Sequence, residues 1–439
     1  MNPLVGIALV LVTLGALLLG VKAVQARGRV GAETARKLVH LGMGVVCLAF
    51  PWLFAEAWPV WALAALAGVG LGALRVVPRL RRELGGVLHD VNRASFGEIY
   101  FPLGVATVFT LARGDALRFV VPVALLTFAD AAGALVGKRW GRHKFATLES
   151  EKSVEGSLAV GVTGLVCAAG PLLAAGHEWR AAFLTGAVIG LFALMLEAIS
   201  WRGLDNIFLP LAAYAQISVY LGAMPASLAL RLAVLIGLAA LALAWRRGQV
   251  ADDCARLGAA LALYFFWAVG GWTWLVAPAV LLASYARLMP TAAGGGPRHN
   301  LVAVICVSSA GVAWAVAQAF APDARWAGLF TVGFATQQAV IALVRYSQAR
   351  VGWPRAAWWA AGVAQAVVAQ GLAFCAADRG RTFSGAGLAV GALCVAVAAA
   401  GFVACERNLQ RPEKAEARWW KQGAAAVLAS AAGFILMQP

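Results

Sequence analysis

A chain of 439 residues that is 62% hydrophobic and only 13% charged, with a mean hydropathy of +0.79, is not an ordinary soluble domain, which sits near 45–50% apolar and about 25% charged. The net charge of +16 would suit nucleic acid only if the cations clustered, and instead they recur between apolar runs of bilayer-spanning length, ~20 residues. The ten-residue alternation of a membrane barrel is absent. What remains is an all-α, polytopic helical membrane protein, because helices satisfy their own backbone polar groups in lipid.

In chain order the expected spans lie near 4–22, 38–55, 57–74, 97–112, 117–137, 156–175, 181–199, 207–223, 227–245, 255–269, 271–286, 301–321, 327–344, 356–376, 384–404 and 419–437, about sixteen transmembrane helices. The first lacks the basic flank of a signal peptide and is read as retained. The tenth and eleventh are short and hinge at Gly270-Gly271; they read as two segments or as one kinked or re-entrant unit. Alternate loops (22–37, 75–95, 138–155, 200–206, 246–256, 287–300, 345–355, 405–421) hold 29 of the 36 Lys and Arg. The positive-inside rule then puts those loops in the cytoplasm and both termini on the non-cytoplasmic side. Most of the basic excess is thus topology, plus contact with anionic lipid headgroups. The expected location is the inner membrane of a bacterial cell. Seven cysteines form no CxxC pair and lie mostly inside apolar runs, as buried thiols do; neither a disulfide framework nor a zinc site is suggested.

The acidic residues divide the chain. Thirteen of the 20 precede residue 246, several at or within helix ends, whereas the later ones fall in predicted loops. Two domains are expected, a catalytic module over 1–245 and a further helical bundle of unknown function over 246–439. In the second, Gln337, Gln338, Gln365 and Gln370 are the buried polar groups, and hydrogen bonding between helices accounts for them.

In the first, ionisable residues converge on one side of the membrane: Arg36, Lys37 and His40 at the start of span two, Glu98 opening span four, Lys152 and Glu155 opening span six, Glu197 closing span seven, Asp205 and Asn206 opening span eight. Single members have ordinary roles available, such as anchoring or complementing a helix dipole. Asp130 differs. It lies inside span five, roughly 12 Å deep at 1.5 Å per residue, and an intramembrane carboxylate is costly enough to imply function. Gly133, Gly137 and Gly141 at four-residue spacing let that helix pack closely on a neighbour. Carboxylates beside cations suit a metal–nucleotide site: Mg²⁺ needs only one or two carboxylates besides water and phosphate oxygens, and Lys and Arg neutralise charge on a transferring phosphoryl group. The loop from Lys138 to Lys144, with Arg139 and Arg142, supplies such cations. It is not a Walker A loop, since "GALVGK" has too few residues between its glycines and Arg139 after the lysine.

Five stretches occur in order: "ARKLVHLGMG" (35–44), "FGEIYFPLG" (96–104), "ADAAGALVGKRWG" (129–141), "KSVEGSLA" (152–159) and "EAISWRGLDNIFLPL" (197–211). Together they resemble the integral-membrane polyprenol kinase family, which includes dolichol kinase and phytol and farnesol kinases and is related to the phosphatidate cytidylyltransferases. The resemblance covers roughly 30–220. It implies a kinase that phosphorylates a lipid alcohol at the cytoplasmic face, with CTP as donor (ATP being the other candidate) and Mg²⁺. Carried over residue by residue, the motif positions are Arg36, Lys37, His40, Glu98, Asp130, Gly137, Lys152, Glu155, Gly156, Glu197, Asp205 and Asn206. The expected roles are Asp130, Glu155 and Asp205 on the metal; Lys152, Arg36, Lys37, Arg139, Arg142 and Lys144, with Gly137, Gly156 and Asn206, on the nucleotide; and His40 or a carboxylate as proton acceptor. Two other readings stand beside this one. A cytidylyltransferase acting on a lipid phosphate is set back by "WRGLDNIFLP", which lacks the His-Gly-Gly of that signature. A transporter would place its charges near the midplane in paired halves, and here they gather on one face of one half.

Overall fold

The computed structural model describes residues 2–76, 97–147, 151–200, 203–244, 251–290, 298–349, 352–378, 385–406, 409 and 415–436. The chain divides into two compact units, Met1–Leu235 and Ile236–Pro439.

The first unit contains α1 (Pro3–Ala26), α2 (Ala32–Leu48), the single turn α3 (Phe50–Leu53), α4 (Trp58–Val76), α5 (Gly97–Ala112), α6 (Ala116–Ala124), a π-helical turn (Leu125–Ala129) running directly into α7 (Asp130–Trp140), a hairpin of β1 (Lys144–Ala146) and β2 (Glu151–Ser153), then α8 (Val154–Ala174), α9 (Trp179–Ala198), α10 (Asp205–Tyr220) and α11 (Pro225–Ala244), within which the unit boundary falls. The second holds α12 (Asp253–Gly270), a 3₁₀ turn (Trp272–Leu275), α13 (Val276–Arg287), α14 (Leu301–Phe320), α15 (Arg325–Gln348), α16 (Arg355–Asp378), α17 (Gly385–Cys405) and α18 (Ala415–Leu436). The architecture is helical as expected, with one two-stranded antiparallel hairpin that the apolar pattern did not announce.

Among the described residues ten helices are long and apolar enough to cross a membrane, with Trp58–Gly70 and Ile99–Ala112 as shorter apolar helices. The sequence count is sixteen. The difference has physical causes. Helix α2 carries Glu33, Arg36 and Lys37 in its first two turns, α10 has 16 residues, and α13 has 12. The hinge at 270–271 is a true break: Gly271 has φ of 73°, a conformation that L side chains avoid, and the chain resumes as α13 after the 3₁₀ turn.

Capping side chains start several helices: Asp115 accepts from Arg118 N–H at 3.1 Å, Ser153 from Gly156 N–H at 3.1 Å, and Asp252 from Ala255 N–H at 2.7 Å. Helices α8 and α9 meet along a glycine seam. A Cβ on Gly164 would come within 3.0 Å of the Gly190 Cα, and one on Gly186 within 2.7 Å of the Leu165 carbonyl oxygen. Small residues allow this backbone approach where lipid offers no hydrophobic drive to association. The first core is aromatic, with Phe50, Phe54, Phe101, Phe109 and Phe119. Large apolar side chains cover much of the outside, among them Leu4, Val12, Val69 and Val162, as a lipid-facing surface requires.

In the second unit the glutamines join helices as the sequence suggested. Gln337 Nε2 donates to the Cys306 carbonyl at 2.8 Å, Gln338 Nε2 to Ser284 Oγ at 3.0 Å, and Gln370 Nε2 to Gln338 Oε1 at 2.9 Å and the Ala277 carbonyl at 3.1 Å. Gln365 Oε1 accepts from the Tyr346 hydroxyl at 3.0 Å.

Candidate active site

The site begins with a local irregularity. The π-helical turn Leu125–Ala129 follows Pro122, which has no N–H to give, and it widens the helix immediately before Asp130. The Leu126 carbonyl there lies 3.2 Å from His40 Nε2. A carbonyl only accepts, so Nε2 carries the proton in this contact. His40 is held edge-on against Phe101, centroids 4.9 Å apart.

Lys37 precedes His40 by three residues and shares its helix face. Its Nζ donates to Asp130 Oδ2 at 2.6 Å, and His40 Nε2 lies 3.6 Å from the same oxygen. The Lys37 side chain is 7% exposed and that of Asp130 21%, so the lysine is buried and the carboxylate keeps an open side. Arg36 adds a second positive field on both Asp130 and His40.

The hairpin supplies the next cation. Lys152 pairs with Phe145 across the strands, and alternation turns it away from the side of Glu151 and Ser153. Its Nζ donates to Glu197 Oε1 at 2.7 Å, to Ser200 Oγ at 2.7 Å and to the Glu197 backbone carbonyl. Asp205, opening α10, completes the arrangement: it is in electrostatic contact with Asp130, Lys152, Glu197 and Lys37. Beside it Asn206 donates through Nδ2 to the Gly203 carbonyl at 3.2 Å, while its buried Oδ1 has no hydrogen-bond partner. Lys37, His40, Asp130, Lys152, Glu197 and Asp205, from α2, α7, β2, α9 and α10, thus form one charged cluster.

Glu155 is engaged elsewhere. Its oxygens accept from Arg142 N–H at 3.1 Å, His143 N–H at 3.2 Å and, through Oε1, meet His143 Nδ1 at 2.7 Å. It clamps the turn between α7 and β1. Gly137 and Gly156 lie where that turn packs: a Cβ on Gly156 would come within 2.9 Å of the Gly133 carbonyl oxygen, and one on Gly137 within 3.1 Å of Ser153 Oγ. Arg139, Arg142 and Lys144 are exposed, Arg139 lying over Trp140 at 5.0 Å and Lys144 3.8 Å from Glu151. They form a solvent-facing basic rim. Glu98 sits in the first turn of α5, its side chain outside the described residues. Residues 77–96, with Arg79, Arg81 and Arg82, lie outside them also.

Ser200, His143 and Ser153 escaped the sequence reading. Ser200 stands three residues after Glu197, one helical turn on; Ser153 directly precedes an apolar run, an N-cap signal. Among the described residues no three His, Cys, Asp or Glu side chains come together as a metal site. A divalent ion held partly by phosphate needs only one or two carboxylates. Asp130 and Asp205 fit that role: among the described residues the hydrogen bond to Asp130 falls on Oδ2, and both carboxylates share the Lys37 field.

The first unit has relatives among known proteins. Residues 3–200 match the Cytidylyltransferase family. The matched stretch lies within the first unit. It contains every member of the charged cluster except Asp205, which lies five residues past the matched stretch with Asn206 behind it. The chain is also 27% identical over 212 residues to the phytol kinase of Synechocystis sp., covering 47% of this chain and 88% of that protein. The resemblance drawn from the five motifs therefore holds, to a family of CTP-using transferases with a distant phytol kinase relative. No solved structure matches the chain.

Proposed function

We propose that the first unit is a CTP-dependent kinase that phosphorylates a membrane lipid alcohol, of the phytol, farnesol, geranylgeraniol or polyprenol type, to its monophosphate. The observation that carries this reading is the buried cluster itself. Two carboxylates, Asp130 and Asp205, share a field with two lysines, Lys37 and Lys152, within and just past a stretch that matches the Cytidylyltransferase family. On the distribution of basic loops both termini lie outside, so that the cluster opens to the cytoplasm of a bacterial cell beneath the basic rim of Arg139, Arg142 and Lys144. Residues 1–245 form the catalytic module and 246–439 accompany it.

Asp130 and Asp205 would hold Mg²⁺ against the nucleotide phosphates, which supplies Lewis-acid charge neutralisation when bound. Lys37 and Lys152, with Arg36, offset the negative charge of the transferring group. Glu197 and Ser200 fix the Lys152 ammonium, and Glu155 fixes the turn that carries the outer cations. Asn206 Oδ1, buried and unmatched, is an acceptor for a nucleotide N–H or hydroxyl. In His40 the proton on Nε2 leaves Nδ1 as the basic atom. It accepts the proton of the alcohol as the alcohol oxygen bonds to the γ-phosphorus and the bond from that phosphorus to the β-phosphate oxygen breaks, releasing CDP.

The family description favours a second reading, CTP:lipid-phosphate cytidylyl transfer, in which the bond broken is between the α and β phosphates. One experiment separates the two. Purified protein is incubated with Mg²⁺ and a panel of lipid alcohols and phosphatidic acid, using CTP or ATP labelled at the γ position or CTP labelled at the α position. Label from the γ position in a lipid monophosphate supports the kinase. Label from the α position in a CDP-lipid, with none from the γ position, overturns it.

A further inference from the structure

The second unit gathers four aromatic and basic side chains from four elements at one end of its bundle. Tyr285 and Arg345 lie in the last turns of α13 and α15; His299 immediately precedes α14; Trp419 lies near the start of α18. These are the ends bordered by basic loops, and Tyr285, His299 and Trp419 each have an arginine close by in sequence: Arg287, Arg298 and Arg418.

The geometry is specific. The Arg345 guanidinium lies over the Tyr285 ring, 4.6 Å from its centroid. The Tyr285 hydroxyl is 3.0 Å from His299 Nε2, and the imidazole also meets the Trp419 ring at 5.6 Å. Burial, and secondarily the Arg345 charge, hold the imidazole near 4, far below its ordinary value, so it is neutral. With the hydroxyl donating to Nε2, the imidazole Nδ1–H is a donor. Arg345 has its Nε buried without a hydrogen-bond partner, and among the described residues no carboxylate lies within ion-pair distance of it. An aromatic face under a guanidinium leaves its N–H edge unspent, and that edge matches two oxygens of a phosphate. A half-buried cation that meets no counter-charge among the described residues is costly. An anion from outside is the simplest remedy.

We propose that the second unit carries an anion site in which Arg345, with Tyr285 and His299, holds a phosphate group, supplied by a lipid headgroup or by free phosphate. The site rests on residues that the kinase reading does not use.

The full chain in detergent is titrated with ³²P-labelled inorganic phosphate, and in parallel with phosphatidic acid and phosphatidylcholine followed by native mass spectrometry. Wild type is expected to retain phosphate or phosphatidic acid, with phosphatidylcholine retained at least about tenfold less. Arg345→Gln should weaken retention about tenfold, and Tyr285→Phe about threefold, while Arg113→Gln leaves it unchanged. The Tyr285→Phe variant loses only a hydroxyl, so it reports on the site even where Arg345→Gln fails to fold. Binding of inorganic phosphate without the lipid identifies a soluble ligand, and the converse a headgroup; either supports the proposal. Three results overturn it: no binding of either probe, equal displacement by chloride at the same concentration, or Arg345→Gln and Tyr285→Phe both binding as wild type does.

Discussion

The two units solve the problem of joining apolar helices with opposite chemistry. In the second, neutral amides do most of it: Gln338 links Ser284 to Gln370, and Gln337 reaches the Cys306 carbonyl. In the first, the links are full charges, Lys37 to Asp130 and Lys152 to Glu197. An amide bridge within a membrane bundle contributes roughly 0.6–2 kcal/mol, whereas a charge at depth costs about 2.5–3.5 kcal/mol to insert. Most of the second unit's links are thus made without ions, the Lys421–Glu406 pair at 2.9 Å being an exception. The charges of the first are in excess of structural need, and their sharing of one field with Asp205 makes that excess intelligible as chemistry.

The sharpest way to break this contrast is Asp130→Asn. Loss of the carboxylate should lower phosphoryl transfer at least about a hundredfold, measured with γ-labelled nucleotide and a lipid alcohol. Considered alone, the sequence suggests that stability would hold or improve, because an insertion penalty disappears. The structure changes that expectation: Lys37 would be left buried without its partner, and stranding one member of such a pair costs roughly 3–5 kcal/mol. The double variant Asp130→Asn/Lys37→Met should regain thermal stability but no activity. If Asp130→Asn turns over normally, the charges of the first unit are structural after all.

Glu155→Gln should act differently. The amide keeps one acceptor for the turn at 142–143 but loses the charge-assisted contact to His143, so the exposed cations of that turn are positioned less well. The expected result is a rise of about tenfold in KM for the nucleotide, with kcat within about threefold, which is the signature of lost uniform binding. A collapse of kcat matching that of Asp130→Asn would show instead that Glu155 reaches the metal.

How much of this could be read beforehand depends on the kind of signal. Lys37, Asp130, Lys152, Glu197 and Asp205 were legible because a charge in an apolar run is conspicuous and helix parity assigns it a side. Direction of a side chain was not. Glu155 stands three residues after Lys152, yet a strand-to-helix transition intervenes, so Lys152 turns to Glu197 while Glu155 turns to His143. The π-helical turn before Asp130 was equally hidden, since nothing in "LLTFAD" but the preceding Pro122 hints at a widened helix. The glutamines of the second unit were legible as helix links, but their partners, Ser284 and the carbonyls of Cys306 and Ala277, were not, because carbonyls carry no sequence signal.

A milder test works on the neutral side of the comparison. Gln338→Leu removes the central amide of the Ser284–Gln338–Gln370 chain and leaves two buried polar groups without that partner. The expected cost is about 1–3 kcal/mol, read as a lower midpoint of thermal unfolding. Kinase turnover at a temperature where the variant is folded should match wild type. A loss of turnover without a loss of stability would mean that the second unit contributes to the reaction.

The smallest effect concerns pH. His299 is held near 4 by burial and by Arg345, against an ordinary value of about 6.5. The unfolded chain therefore binds a proton that the folded one refuses between those values. Stability from this group is fully present above about pH 6.5 and is lost as pH falls toward 4, amounting to about 2 kcal/mol between pH 7 and pH 5. Carboxylates titrate in the same range, so the informative quantity is the difference between wild type and His299→Gln, which should lack this part of the slope. The measurement also bears on the anion site. A phosphate against Arg345 would screen the charge that depresses the imidazole, so added phosphate should flatten the wild-type slope and leave the variant unaffected. Identical slopes in wild type and His299→Gln, with and without phosphate, would show that the imidazole is not confined as described. The contrast between a first unit of paired charges and a second unit whose Arg345 guanidinium meets no carboxylate among the described residues would then have to be redrawn around Arg345 alone.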